Sequence, residues 1–232
     1  MYTVTAKDGS QRPTTLRDAR KLGLVPSVTT ILKAAAAPGL QAWKERQILL
    51  AALTLPRQEN EPEDQYIERI VQDSREQGKQ AAQHGTDIHA AIQGFYEGTI
   101  TDAFVEHVVG CNNKMQDYFG DHDWMCERPF CHELGFGGKC DMYTNVANGI
   151  VIDIKTKDFD TDKVDAYDEH LMQLAAYRVG LGLPQARCAN VFVSRTTPGL
   201  TVIYEWTQKD LARGWEMFHA LLTFWQAKTG HK

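Results

Sequence analysis

The chain has 232 residues, 43% hydrophobic and 24% charged, with 25 Lys and Arg against 30 Asp and Glu and hence a net charge of -5. This is long enough for one substantial α/β domain with additions and too short for two average domains and a linker; it excludes a disordered composition and any global positive field that would attract a polyanion, although a local basic groove is averaged away in such a total. No apolar run approaches the ~20 residues of a spanning helix, and the opening MYTVTAKDGS lacks a basic start followed by an apolar run, so a cytoplasmic location with no membrane partner is expected.

In chain order, residues 2 to 25 hold a short strand, a turn at Asp8-Gly9 and a helical pattern from Thr14 to Leu22. In VPSVTTILKAAAAPGLQAW, Ser27 is placed to cap a helix with Thr30 at N3, and Val28, Ile31 and Leu32 give that turn an apolar side. A capped helix start is favoured there over a phosphate site built on free backbone N–H groups. The run TLPRQENEPED mixes prolines with acids and reads as a surface loop. A helix follows from Glu61 or Pro62 through QAAQHGTDIHAAIQGFYEG, with an interruption considered at Gly78. Gly85 and His89 stand four apart and share a face with Ile92 and Tyr96. A glycine in a helix costs about 0.5 to 1 kcal/mol relative to Ala, which the close approach of another backbone would explain.

A second helix is expected from Ala103 to Phe119, a polar break at Gly120 to Asp123, and a strand from Trp124 to Glu133 containing Glu127. The stretch GGKCDMYTNVANGIVIDIKTK, residues 137–157, reads as two strands joined by a tight turn at Asn148-Gly149, where both residues tolerate positive φ. In the second strand, Val151, Asp153 and Lys155 share one face and Ile150, Ile152 and Ile154 the other. The charged face, with Asp141 supplied by the preceding strand, costs solvation energy when partly buried unless a cation or an anionic ligand compensates it. That face is the candidate active site. Beyond it come a helix from Val164 to Leu181 with Gln173 and Tyr177 four apart, strands in RCANVFVSR and LTVIYEW, and a final helix capped by Thr207 with Asp210 at N3. In this last helix Leu211, Trp215, Phe218, Leu222 and Trp225 are core residues at helical spacing, with no chemistry assigned. The five cysteines, Cys111, Cys126, Cys131, Cys140 and Cys188, form no CxxC pair and read as reduced, packed thiols.

His89 in HGTDIH, Asp141 ending GGKCD, Asp153 and Lys155 in IDIKT, and Gln173 and Tyr177 in QLAAY stand in the order found in the RecB-type branch of the PD-(D/E)XK nucleases, which includes phage exonucleases and the mitochondrial genome maintenance exonuclease. The chain resembles that branch from residue 26 to about 180, and PSVTTIL is similar to a segment of its phage and mitochondrial members. The resemblance implies a restriction-endonuclease-like α/β core: a central mixed sheet flanked by helices in the order α-β-β-β-α-β. A mainly helical part, 1–123, would carry His89, and 124–232 would hold the sheet and C-terminal helix, together a single domain over 1–232. It implies metal ligation by His89, Asp141, Asp153 and the Ile154 carbonyl; catalysis by Asp141, Asp153 and Lys155, with Glu127 either a further acid or an ordinary strand carboxylate; and DNA contacts from Gln173, Tyr177, Ser27, Thr29 and Thr30. Hard carboxylate ligands suit Mg²⁺, or Mn²⁺ as a substitute. Lys155 would orient or deprotonate the attacking water and offset negative charge. No iron-sulfur cluster is expected, since no cysteine follows Cys188.

The activity implied is a metal-dependent DNA exonuclease in recombination, repair or phage DNA processing, acting on a free end that a protein partner could deliver. The alternatives are an endonuclease of the same fold and a non-catalytic DNA-binding regulator. A small-molecule metallohydrolase stands further off.

Overall fold

The computed structural model describes residues 3–6, 8–99 and 101–231. The ends of the 1–232 expectation and the start of the strand expected from residue 2 lie outside the described residues. The elements are β1 (Thr3–Thr5), β2 (Gln11–Pro13), α1 (Leu16–Leu22), α2 (Val28–Leu32), α3 (Pro38–Thr54), α4 (Glu63–Tyr96), α5 (Val105–Phe119), β3 (Met125–His132), β4 (Phe136–Tyr143), β5 (Ile150–Lys157), α6 (Asp168–Gly180), β6 (Arg187–Ser194), β7 (Thr201–Trp206) and α7 (Gln208–Thr229). This is an α/β architecture. Its mixed five-stranded sheet runs β3-β4-β5-β6-β7. All neighbours are antiparallel except β5 and β6, which are parallel and joined by the α6 crossover. No helix among the described residues is long and apolar enough to cross a membrane.

Both faces of the sheet are covered, which is why β5 and β6 are buried along most of their length. On one face Val151 packs with Leu171, Leu174 and Ala175 of α6, Val28 and Ile31 of α2, and Phe218 and Leu222 of α7. On the other, Ile150, Ile152 and Ile154 pack with Ile88 and Ile92 of α4 and Val108, Cys111 and Met115 of α5. The alternation read in IVIDIK is thus the division between two cores. Thr207 caps α7 by accepting from the Asp210 N–H at 3.1 Å.

Three expectations need correction, and one helix has no counterpart among them. The helix α3 is not signalled by periodicity, because Leu49, Leu50 and Leu53 are all exposed; it lies against α4, with Trp43 over Gly78. At Gly78 an added Cβ would sit an ordinary 3.7 Å from that ring. The helix α4 therefore runs unbroken through Gly78. The helix α6 starts at Asp168 rather than Val164, since the preceding residues are held extended, the Asp165 carbonyl accepting from Lys157 Nζ at 2.8 Å. The β4–β5 connection is six residues, 144–149, rather than a two-residue turn. Only Asn148 takes positive φ there, at 56°. Gly149 is required by space: a Cβ would lie 2.4 Å from the Thr144 carbonyl oxygen.

Candidate metal centre

The register of β4 on β5 pairs Tyr143 with Val151 and Met142 with Ile152. At the next step the side chains take over: Asp141 Oδ2 accepts the Ile154 N–H at 2.7 Å. The same oxygen lies 3.1 Å from His89 Nε2. His89 arrives from α4, on the sheet face opposite α6, because α4 crosses β5 closely at Gly85. A Cβ on Gly85 would lie 2.3 Å from Thr156 Oγ1. The close approach expected at Gly85 is therefore met by a strand side chain, one helical turn before the histidine.

On β3, Glu127 stands opposite Asp141, between the Cys126–Met142 and Arg128–Cys140 pairs. Its backbone is left-handed, at φ 53°, an unfavourable conformation for a residue with a long side chain. Its carboxylate forms an ion pair with Lys139 of the neighbouring strand. Ligand atoms of His89, Glu127 and Asp141 all lie within 4.8 Å of one another. Two carboxylates and an imidazole are a donor set suited to Mn²⁺ or Mg²⁺, so these residues fit a divalent cation. Glu127, either a further acid or an ordinary strand carboxylate by its sequence, belongs to the set.

Asp153 lies outside that trio. Its side chain is 1% exposed, and both oxygens are engaged: Oδ1 accepts from Lys155 Nζ at 2.9 Å, and Oδ2 from Asn190 Nδ2 at 2.8 Å. Asn190 sits directly across from Asp153 on β6, and its Oδ1 accepts from Trp206 Nε1 at 2.8 Å. In the other direction Lys155 donates to Gln173 Oε1 at 3.0 Å, and Gln173 Nε2 donates to Tyr177 OH at 2.9 Å. The i, i+4 pair on α6 thereby extends a buried polar file from Trp206 to Tyr177. Sequence reasoning missed Asn190 and Trp206; neither carries a local signal, since an Asn in an apolar strand acquires its meaning only from the strand beside it.

The charges follow from this layout. Burial raises the Asp153 carboxyl to about 6, with Asp141 adding to the rise and Lys155 and His89 opposing it. Burial also works to raise Asp141, but the hydrogen bond and charge of His89, the Lys155 ammonium and the Ile154 N–H hold it below the ordinary carboxylate value. For His89 and Lys155 burial disfavours the cation; the Asp141 hydrogen bond for the first, and the Asp153 and Asp141 charges for the second, more than offset it, and both are raised. Burial pushes the Tyr177 phenol up.

A cavity of about 770 Å³ joins His89, Asp141, Asp153, Ile154, Lys155, Gln173 and Tyr177 to Ser27, Thr29 and Thr30. The segment before α2 is pinned to β4, the Pro26 carbonyl accepting the Gly137 N–H at 2.9 Å. Ser27 Oγ accepts the Thr30 N–H at 3.1 Å and lies within hydrogen-bond distance of the Thr29 and Thr30 hydroxyls, so it is committed to capping. Thr29 and Thr30 are exposed. Lys33, Lys139, Trp225 and His231 also line this cavity, which gives the outer end of the C-terminal aromatic stripe a position at the site.

No family model matches the chain, and no curated protein matches it. Among solved structures it is similar to one described as the crystal structure of SSO0001, at 17% identity over 78% of this chain and 86% of the other, with a TM-score of 0.35, a likeness too slight to bear on fold or function.

Proposed function

We propose that the chain is a divalent-metal-dependent deoxyribonuclease of the RecB-type PD-(D/E)XK branch, hydrolysing DNA from a free end in recombination, repair or phage DNA processing. The observation that carries the reading is the convergence of His89, Glu127 and Asp141 ligand atoms within 4.8 Å, beside a cavity lined by His89, Asp141 and Lys155. The run α5, β3, β4, β5, α6, β6 also follows the element order expected of a restriction-endonuclease-like core.

In this reading His89, Glu127 and Asp141 hold the Mg²⁺ or Mn²⁺ ion, with Asp153 and the Ile154 carbonyl beside them. The ion, when bound, supplies Lewis-acid polarisation of the phosphate and a more acidic water. The chain's own contribution is positional and electrostatic. Lys155, whose ammonium form is favoured by its two aspartates, orients or deprotonates the attacking water and offsets charge on the phosphoryl oxygens. Gln173 fixes the Lys155 head at 3.0 Å, and Tyr177 fixes Gln173. The water oxygen bonds to phosphorus as the bridging P–O bond breaks; the attacking water gives up a proton to solvent, and the departing oxygen takes one up from solvent.

Incubating linear and covalently closed DNA with Mg²⁺ tests the proposal. Progressive loss of the linear DNA from its ends, with the closed circle intact and Asp141→Asn inactive, is the expected result. Equal cutting of the circle indicates the endonuclease alternative, and no metal-dependent cleavage of either substrate overturns the reading.

A further inference from the structure

A second cavity, of about 670 Å³, lies between α3 and the segment that joins β5 to α6. Lys155 lines both cavities, so the two spaces adjoin at its side chain. We infer that this second cavity holds an unpaired strand of nucleic acid. The identity of the ligand rests on the nuclease reading; the shape and chemistry of the groove do not.

Charge is the first argument. The cavity is lined by five cations (Arg46, Lys155, Lys157, Lys163 and Arg195) and three acids (Asp158, Asp165 and Glu169). Lys155 is already paired with Asp153 and Arg195 with Asp158, to which its Nε donates at 2.9 Å, which leaves Arg46, Lys157 and Lys163 against Asp165 and Glu169, a surplus of one cation in a chain whose net charge is -5. Arg46 on α3 and Lys163 on the β5–α6 connection are both exposed. Neither forms an ion pair among the described residues, and together they place two unsatisfied cations on two different walls of the groove. Phosphates spaced along a strand satisfy such an arrangement, with affinity that falls as salt rises.

The second argument is the aromatic lining. Trp43, Phe159 and Tyr167 are half-buried and line the same space. Lys157 Nζ lies 4.4 Å from the centroid of the buried Phe192 ring and 5.8 Å from that of Tyr167, so those faces are taken by the lysine and the half-buried Trp43 and Phe159 are the rings left to meet a base. Ring faces next to cations bind bases by stacking and the backbone by charge. In a duplex the base faces are already stacked on one another, so this lining selects a strand whose bases are free. A small anionic ligand would use the cations but not the rings.

The test measures anisotropy of a short fluorescein-labelled oligo-dT, and of a blunt duplex of the same length, in EDTA, where metal-dependent cleavage does not occur. The wild-type protein is expected to bind the single strand more tightly. Arg46→Glu with Lys163→Glu, both at exposed positions without partners, is expected to weaken oligo-dT binding by roughly tenfold or more, and to lower the slope of log K against log salt by about 1.4, or 0.7 for each lost contact. Trp43→Leu is expected to weaken binding roughly five- to tenfold with the salt slope unchanged. Tighter binding of the duplex than of the single strand, or unaltered oligo-dT affinity in the charge-reversed variant, overturns the inference. Hydrolysis of bis(p-nitrophenyl) phosphate with Mn²⁺ separates the two readings, because this substrate reaches only the metal-side cavity. If the wild type lacks it while the oligo-dT results hold, the nuclease reading fails and the groove stands; if the charge-reversed variant loses it, the groove is not a separate site.

Discussion

The charged centre has two halves that differ in how their polar groups are satisfied. In the satisfied half every member of the file Trp206, Asn190, Asp153, Lys155, Gln173, Tyr177 meets a neighbour at 2.8 to 3.0 Å. The open half brings two carboxylates and an imidazole to one point, with Asp141 bonded to the Ile154 N–H, Glu127 paired to Lys139 and Glu127 on a left-handed backbone. A satisfied buried network rigidifies a core, whereas converging oxygen and nitrogen ligand atoms can take a cation in place of the Lys139 ammonium. Asp153, adjacent in sequence to a supposed ligand carbonyl, belongs energetically to the satisfied half. The lesson is that a charge motif read as one site divides into a part that sets geometry and a part that binds.

Variants can break that division. Lys155→Met leaves the Asp153 carboxylate buried without its cation, and should cost about 3–5 kcal/mol of stability in urea unfolding as well as nuclease activity. Asp141→Asn, in the open half, should lower cleavage on the order of 10²-fold or more and weaken Mn²⁺ binding by calorimetry, yet move unfolding by less than about 1 kcal/mol. A large loss of stability from Asp141→Asn would erase the distinction between the halves.

A pH series tests the packing beside Lys155 and Lys157. His170 packs on Phe192, its Nδ1 accepts the Tyr167 N–H at 3.2 Å, and burial, aided by Lys155 and Lys157, lowers it from 6.5 to about 3. Between those values the unfolded chain binds a proton that the folded one refuses. Its stability contribution is therefore present above pH 6.5 and lost as pH falls toward 3, roughly 2–3 kcal/mol by pH 4. His170→Gln keeps an acceptor at N3 and removes the titration; the expected result is a shallower acid-side decline in unfolding free energy. The smallest effect is expected at the hinge between the halves. Gly85→Ala should cost about 1–2 kcal/mol by overpacking Thr156 and displace His89, and adding Thr156→Ala should restore most of the lost stability and activity.

Much of the site was legible because its residues sit in locally periodic segments. Alternation in IVIDIK placed Asp153 and Lys155 on one face, and four-residue spacing paired Gln173 with Tyr177 and Gly85 with His89. What escaped depends on distant chain. Asn190 acquires its role from a parallel neighbour 37 residues away, and the left-handed backbone of Glu127 has no signature in composition. The helix α3 was missed because it buries little: Ala51 is its only fully buried residue among those described, so no apolar stripe marks it.

The parallel pairing of β5 with β6 has a consequence for the order in which the centre is made. The β4–β5 hairpin brings Asp141 and Asp153 together within a short stretch of chain, and Lys155 follows two residues later. The amide that clamps Asp153 comes only after α6 has crossed over, and the indole that holds the amide is at the end of β7. A chain emerging from the ribosome thus exposes both acids well before it can immobilise them, and non-local parallel pairing is among the slower steps of folding. The centre is therefore fixed only after synthesis has passed Trp206, so under the nuclease reading the nascent chain carries the acids without a fixed centre in which to use them.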